Sequence, residues 1–519
     1  MVLSEALLQA ATRFGTRTAL IFEDQKHSFS DIHRESLRVA GLLIERGLKR
    51  GDRVALFLEN RPEYLYAYFA VAAAGGVLVP LNTFLAEPEL QQILKDCRAS
   101  MLVTSGTALP GIGKAIESTP SLRQVLLVED LAAGTNSTTA PRMVDVEPGK
   151  PDDTAVLIYT SGTTGKPKAV MLSHRNLLSN AAACTQAVGV TPRDRILFFL
   201  PAFHSFTQMV CILAPVVAGM SVVMCPRLDR ARIKRTVLKH RPTIFPAVPA
   251  VFTAMAQAPL GRMARWLNPV RIYISGGAPL PLSTLESFES KYGRPLCEGY
   301  GLSEASPVVA LNPPFGKRKA GSVGLPLPGL EIRIVDETGR ELPTGETGEL
   351  LVSGPSIMKG YAGQQEETSK VLTQGWLHTG DLARRDEEGY IFIVGRIKEM
   401  LISRGMNIYP REIEEVLEAH PTIKEAAVIG LPDAGRGEVP FAFVVPKEGM
   451  GISESELKDA CAARLARYKV PRGFKIVPML PRNPAGKVLK QELKEQAGVT
   501  PRVEKGRGGQ GDRVPRPEK

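Results

Sequence analysis

Between Val54 and Gly299, short apolar runs alternate with stretches of helical spacing, and this alternation restricts the fold more than any other feature of the chain. Val54–Leu58 reads as a strand, Asn60 as the cap of a helix reaching Ala74, Val77–Val79 as a strand, Glu89–Cys97 as a helix and Met101–Thr104 as a strand. Ala155–Ile158 is a buried strand, and Ser173 caps a helix running to Ala187. Further strands are expected at Ile196–Leu200, Ser221–Met224, Thr243–Phe245, Val270–Ile274 and Pro295–Gly299. Such alternation builds parallel sheets covered by helices. The ligand of such a sheet sits at the carboxyl ends of its strands. The region 106–150, rich in Thr, Gly and Pro, reads as surface structure.

From about Ala320 the apolar period shifts to two, as in Leu330-Glu331-Ile332-Arg333-Ile334-Val335, and an antiparallel β unit follows. After Gly395 comes a small α+β pattern: a helix over Glu412–Ala419, strands at Ala427–Ile429 and Phe441–Val445, a helix near Glu454–Tyr468 and a strand at Phe474–Val477. The expected fold is therefore α/β. Residues 1–395 form a large domain (1–320 parallel helix-covered sheets, 321–395 a β-barrel-like unit), 396–499 a small α+β domain, and 500–519 a disordered basic tail.

The net charge of +11 is mild for 519 residues, and no zinc spacing or basic–aromatic interleaving points to nucleic acid. The six cysteines form no C-x-x-C pair and read as reduced core thiols, which suits a cytoplasmic protein. The first residues lack the basic region of a secretory signal. Residues 196–226 carry no charged side chain, yet Pro201, His204, Pro215 and Gly219 interrupt them, so core structure explains the stretch better than a membrane span.

After the strand at Ala155–Ile158 stands Tyr159-Thr160-Ser161-Gly162-Thr163-Thr164-Gly165-Lys166-Pro167-Lys168. Its glycines let the backbone approach a bulky anion, and its hydroxyls and lysines supply donors and positive charge. The flanking pattern reads as strand, polar loop, helix. The spacing of a Walker A loop is absent. This segment resembles the phosphate loop of the adenylate-forming superfamily. Four more motifs follow in that family's order: Tyr300-Gly301-Leu302-Ser303-Glu304, Trp376-Leu377-His378-Thr379-Gly380-Asp381, Gly395-Arg396-Ile397-Lys398-Glu399 and Pro481-Arg482-Asn483-Pro484-Ala485-Gly486-Lys487. The likeness covers roughly residues 10–495 and looks most like bacterial fatty-acid–CoA ligases.

The resemblance implies a reaction in which a carboxylate attacks the α-phosphorus of ATP and a thiol then takes the acyl group. Two anions must meet, so the site has to neutralise charge and align the groups. By resemblance, Thr160, Ser161, Gly162, Thr163, Thr164, Gly165 and Lys168 hold the phosphates. Glu304 ligates Mg2+, Tyr300 stacks on adenine, Asp381 accepts from both ribose hydroxyls, and Arg396 supports ribose and phosphate. Gly277, Ala278, Glu298, Gly299, Gly301 and Ser303 complete the nucleotide site. Lys487 bridges the acid and the α-phosphate, and Lys398 is the hinge about which the small domain swings. Ser403-Arg404-Gly405-Met406-Asn407 departs from the family's Gly-Gly-Glu-Asn wording on the thioester-forming face.

Amino-acid-activating relatives carry an Asp where this chain has His204, so an α-ammonium would find no partner here. His204 is expected at the gate between acyl pocket and thiol channel. Phe199, Phe203, Phe206, Met209, Val210 and Ile212 offer an apolar lining for an alkyl or aryl acid. The expected activity is fatty-acid–CoA ligation with ATP, Mg2+ and CoA. The alternatives are an acyl-AMP ligase loading a carrier protein, an aryl-acid CoA ligase, and a non-catalytic binder that would need neither Glu304 nor Lys487. A homodimer and peripheral contact of the basic tail with the inner membrane face are compatible with the sequence.

Overall fold

The computed structural model describes residues 1–133, 149–160, 167–404, 406–433, 435–482 and 488–498. Contacts divide it into two compact units, one spanning Met1–Lys398 and one beginning at Glu399. The tail expected to be disordered, over 500–519, lies outside the described residues.

The first unit holds two large sheets. Nine strands form one, in the spatial order Leu325–Pro326, Val308–Leu311, Leu296–Gly301, Ile272–Ser275, Ile244–Ala247, Arg195–Phe198, Ser221–Met224, Thr18–Phe22 and Gln25–Ser28. The six strands from Leu296–Gly301 to Thr18–Phe22 run parallel. The other sheet has seven strands and is parallel from Thr154–Thr160 through Val77–Pro80, Arg53–Phe57 and Met101–Thr104 to Gln124–Leu127. That last strand, with short helices at Gly113–Glu117 and Val128–Ala133, gives the described part of the region expected as surface structure a place in the core, and residues 134–148 lie outside the described residues. A third, antiparallel sheet of five strands comprises Glu331–Val335, Gly348–Ser353, Leu372–Thr373, Trp376–Arg385 and Ile391–Arg396.

Two local readings are corrected. The phosphate segment does not pass directly into a helix: Lys168–Ser173 is a strand antiparallel to Thr154–Thr160, with Thr160 opposite Lys168. The helix His174–Val188 begins only after it, with Ser173 as its cap. The segment is thus a hairpin connection, and no helix N-terminus follows it directly to lend a dipole to bound phosphate. Asn60 does not cap the next helix, which starts at Pro62 after Arg61. It is buried instead and ties the two large sheets together. Its Nδ2 donates to the carbonyls of Leu200 (3.0 Å) and Cys225 (3.2 Å), and its Oδ1 accepts from the amide of Ala202 (2.9 Å). A side-chain amide can satisfy three backbone groups in this way, whereas a helix cap would use only its oxygen.

The second unit is a five-stranded sheet on which the helices Pro410–Glu418 and Glu454–Ala462 pack through Ile413, Leu417 and Leu457, in one cluster with Leu401 and Val428 of the strands. Within it Lys490 pairs with Glu399 (3.0 Å) and Glu414 (2.7 Å). Among the described residues no helix is long and apolar enough to cross a membrane. All six cysteines are buried and free, and burial pushes the Cys184 thiol up to about 12.

Candidate active site

The carboxyl ends of the nine-stranded sheet open into a cavity of about 740 Å3. Strand Leu296–Gly301 carries Gly299, Tyr300 and Gly301 to its wall, and the turn after it adds Ser303 and Glu304. Gly301 is required there, because a Cβ would lie 2.1 Å from the carbonyl oxygen of Pro307. Gly277, in the left-handed region at φ +84°, follows the neighbouring strand Ile272–Ser275. Of the expected site residues, the cavity also gathers Thr160, Lys168, His204, Arg396 and Lys398.

Three expected residues do not line it. Glu298 is buried behind the wall, where its carboxylate accepts from the Leu280 amide (2.9 Å). Ala278 lies beside Gly277 but outside the lining. Asp381 sits behind Tyr300 and Arg396, with Oδ2 accepting from the Tyr300 hydroxyl and Oδ1 from Arg396 Nε (2.9 Å). Burial, reinforced by the Asp381 charge, raises the Tyr300 pKa well above the phenol range, so the hydroxyl keeps its proton. Ser161, Gly162, Thr163, Thr164, Gly165 and Lys487 lie outside the described residues.

A connected set of side chains runs across the cavity. Lys168 Nζ is 2.6 Å from Glu367 and stands 4.9 Å from the centre of the Tyr361 ring. Tyr361 donates to Glu304 Oε1 (2.9 Å). The hydroxyls of Ser303, the neighbour of Glu304, and Ser205, the neighbour of His204, are 3.2 Å apart. Glu367 also meets Lys370 at 2.5 Å, and the two ammonium groups hold its carboxyl down at about 2. Lys168 therefore faces the cavity already neutralised. Tyr361, Glu367 and Lys370 went unread in the sequence, and so did Glu349, which accepts from the Gly380 amide (3.2 Å) and pairs with His378 (2.9 Å). The i,i+3 spacing of Glu367 and Lys370 signals an ion pair, but not its place in a cavity.

His204 opens a helical stretch that passes through a π-helical turn, Gln208–Leu213, a geometry often found beside functional sites. Its Nδ1 accepts from the Phe206 amide (3.3 Å), which leaves the proton of the neutral ring on Nε2, and burial lowers its pKa. The apolar lining of the cavity includes Cys184, Val188, Phe206, Val210, Val308 and Leu311. Only Phe206 and Val210 of the apolar lining read from the sequence are there. Phe199 packs on Phe245, Phe203 on Phe84, and Met209 and Ile212 are buried in the core.

Glu304 is the cavity carboxylate suited to a hard cation. Among the described residues no three His, Cys, Asp or Glu cluster as a metal cage. One carboxylate in a cavity that also holds Lys168 fits Mg2+, which keeps several waters and is shared with substrate phosphates. A second cavity, of about 820 Å3, lies at the carboxyl ends of Arg53–Phe57 and Met101–Thr104 and contains none of the motif residues.

Residues 7–362 match the model of the AMP-binding enzyme family, and residues 412–487 match that of the AMP-binding enzyme C-terminal domain. The chain belongs to the AMP-binding enzyme family. A long-chain-fatty-acid–CoA ligase of Bacillus subtilis (strain 168) is 35% identical across 95% of this chain and 94% of its own. A feruloyl-CoA synthase of an Amycolatopsis species is 36% identical across 91% and 94%. Among solved structures, o-succinylbenzoate CoA synthetase from Bacillus subtilis, in complex with ATP and magnesium ion, matches with a TM-score of 0.83 at 34% identity, covering 94% of this chain and 99% of that one. The chain is accordingly an adenylate-forming acid–thiol ligase.

Proposed function

We propose that the protein is a fatty-acid–CoA ligase that uses ATP, Mg2+ and CoA. The carrying observation is the mixed lining of one cavity, in which the uncharged Val188, Phe206, Val210 and Leu311 occur together with Glu304, Lys168 and Tyr300. An alkyl acid places its chain against the first group and its carboxylate beside the second. A carboxylate oxygen attacks the α-phosphorus of ATP, the new O–P bond forms and pyrophosphate leaves. The CoA thiol then attacks the acyl carbon, the C–O bond to AMP breaks, and acyl-CoA and AMP depart.

In this reading Asp381 accepts from the ribose hydroxyls, Tyr300 stacks on adenine, and Lys168 exchanges Glu367 for a phosphate. Glu304 holds Mg2+, which supplies charge neutralisation to the triphosphate when bound. Neutral His204, also in the lining, donates through Nε2. Lys487 and the hinge Lys398 take the roles that the family motifs assign them.

ATP-dependent pyrophosphate release across C4–C18 fatty acids, benzoate and cinnamate, with and without CoA, tests the reading. A fatty-acid optimum with a thioester product is expected. An optimum on cinnamate would favour the aryl-acid reading that the feruloyl relative suggests. Pyrophosphate release without thioester would mean a carrier-protein acceptor, and no release with any acid would leave only a binder.

A further inference from the structure

The positive charge of the chain is concentrated. Residues 227–271 contain ten Lys and Arg against one acid, Asp229, a surplus of nine in a chain whose whole surplus is +11. Arg232 is met by Glu23 (2.9 Å), Lys239 by Asp24 (2.6 Å) and Arg271 by Asp194 (2.7 Å). Arg230, Lys234, Arg235, Arg241, Arg262 and Arg265 are exposed and make no ion pair among the described residues.

Large apolar side chains stand among these cations. Trp266 is 81% exposed, Met263 74%, Leu228 58% and Leu238 52%. Met263 and Trp266 are three apart on the helix Arg262–Leu267, which buries no residue, and so share a face. The helix Arg230–His240 also buries no residue. Its Ile233 and Val237 rest half-buried on the same side of the nine-stranded sheet as Val251 and Met255 of Pro249–Gln257, the helix that leads into Arg262–Leu267. The two exposed helices therefore belong to one layer.

We infer that this layer is a docking surface for an anionic lipid bilayer. Cations draw the surface toward acidic headgroups, and Trp, Met and Leu between them enter the headgroup–acyl boundary. Nucleic acid would be served by the arginines but gives protruding Leu and Met side chains nothing to pack against. The helix Arg262–Leu267 joins the amino end of Ile272–Ser275, whereas the active-site cavity opens at the carboxyl ends of the same sheet. Docking through Trp266 thus leaves the nucleotide side in water. The binding does not depend on which acid the enzyme takes, so its test is separate from that of the proposed function.

The full chain is floated with vesicles of phosphatidylcholine alone or with about 30 mol% phosphatidylglycerol, where each surface Arg contributes on the order of fivefold in partitioning. In a Trp376→Phe background Trp266 is the only tryptophan left. Binding to the anionic vesicles alone, with a blue shift of Trp266 emission, is expected. Arg262→Gln with Arg265→Gln should weaken binding roughly 25-fold, and Met263→Ser should weaken it further. Equal binding to both vesicles, or none to either, would overturn the inference. So would binding that survives these substitutions but vanishes on removal of residues 499–519, or capture by an acidic carrier protein or an oligonucleotide without vesicle binding.

Discussion

Replacing Asp381 by Asn tests the ribose assignment with little change of shape. An ionised carboxylate has about four acceptor sites. Tyr300 and Arg396 take one on each oxygen, which leaves two for the ribose hydroxyls. Asn keeps one oxygen, and its amide group cannot accept from either arginine or ribose. At least one charge-assisted hydrogen bond to the nucleotide is then lost, about 1.5–3 kcal/mol, which corresponds to roughly a 10- to 150-fold rise in KM for ATP. Acid-dependent ATP–pyrophosphate exchange, titrated separately in ATP and in acid, reads the effect. The KM for acid should stay within about twofold, because only nucleotide binding is removed. Tyr300→Phe frees one acceptor site, so Asp381→Asn should cost less in that background than alone. An ATP KM changed by less than about threefold, or an equal rise in both constants, would refute the reasoning.

Glu367→Gln should leave Lys168 unneutralised, lowering KM for ATP and strengthening inhibition by pyrophosphate; inhibition constants unchanged from the parent would show that the pair does not compete with phosphate. Burial of His174 pushes its imidazole down to about 4, while its Nδ1 accepts from the Leu3 amide (3.2 Å). Its contribution is therefore full above about pH 6.5, and roughly 3 kcal/mol of stability is lost as pH falls from there through 4. Urea midpoints should follow that slope in the parent and flatten in His174→Asn, whose carbonyl can still accept from Leu3. Lys487→Ala should abolish acyl-adenylate formation while sparing thioester formation from supplied acyl-adenylate; equal loss of both half-reactions would remove the role its motif assigns.

The parallel sheets were legible because their strands are short apolar runs bounded by turn residues. Ser221–Met224 and Met101–Thr104 were read residue for residue. Partners distant in sequence were not. Nothing local in Lys168–Ser173 announces that it pairs with Thr154–Thr160, and Lys168 meets Glu367 across 199 positions. Asn60 has the residue type of a helix cap, but tertiary contacts to Leu200, Ala202 and Cys225 claim its amide. The acyl lining was misjudged for a geometric reason: successive side chains in and after Arg195–Phe198 point in different directions, so composition identified an apolar neighbourhood without saying which members face the cavity. Several residues of the motifs, among them Tyr300, Gly301, Glu304 and Arg396, do reach the cavity wall, although Asp381 lies behind Tyr300 and Arg396.

The hairpin formed by Thr154–Thr160 and Lys168–Ser173 has a consequence for engineering. Hairpin register depends on the length of the connection, and here Thr160 stands opposite Lys168, Tyr159 opposite Ala169 and Ile158 opposite Val170. Segments taken from relatives should therefore replace the seven intervening positions one for one, because a slip of one residue would turn the buried side chains of Lys168–Ser173 away from the core.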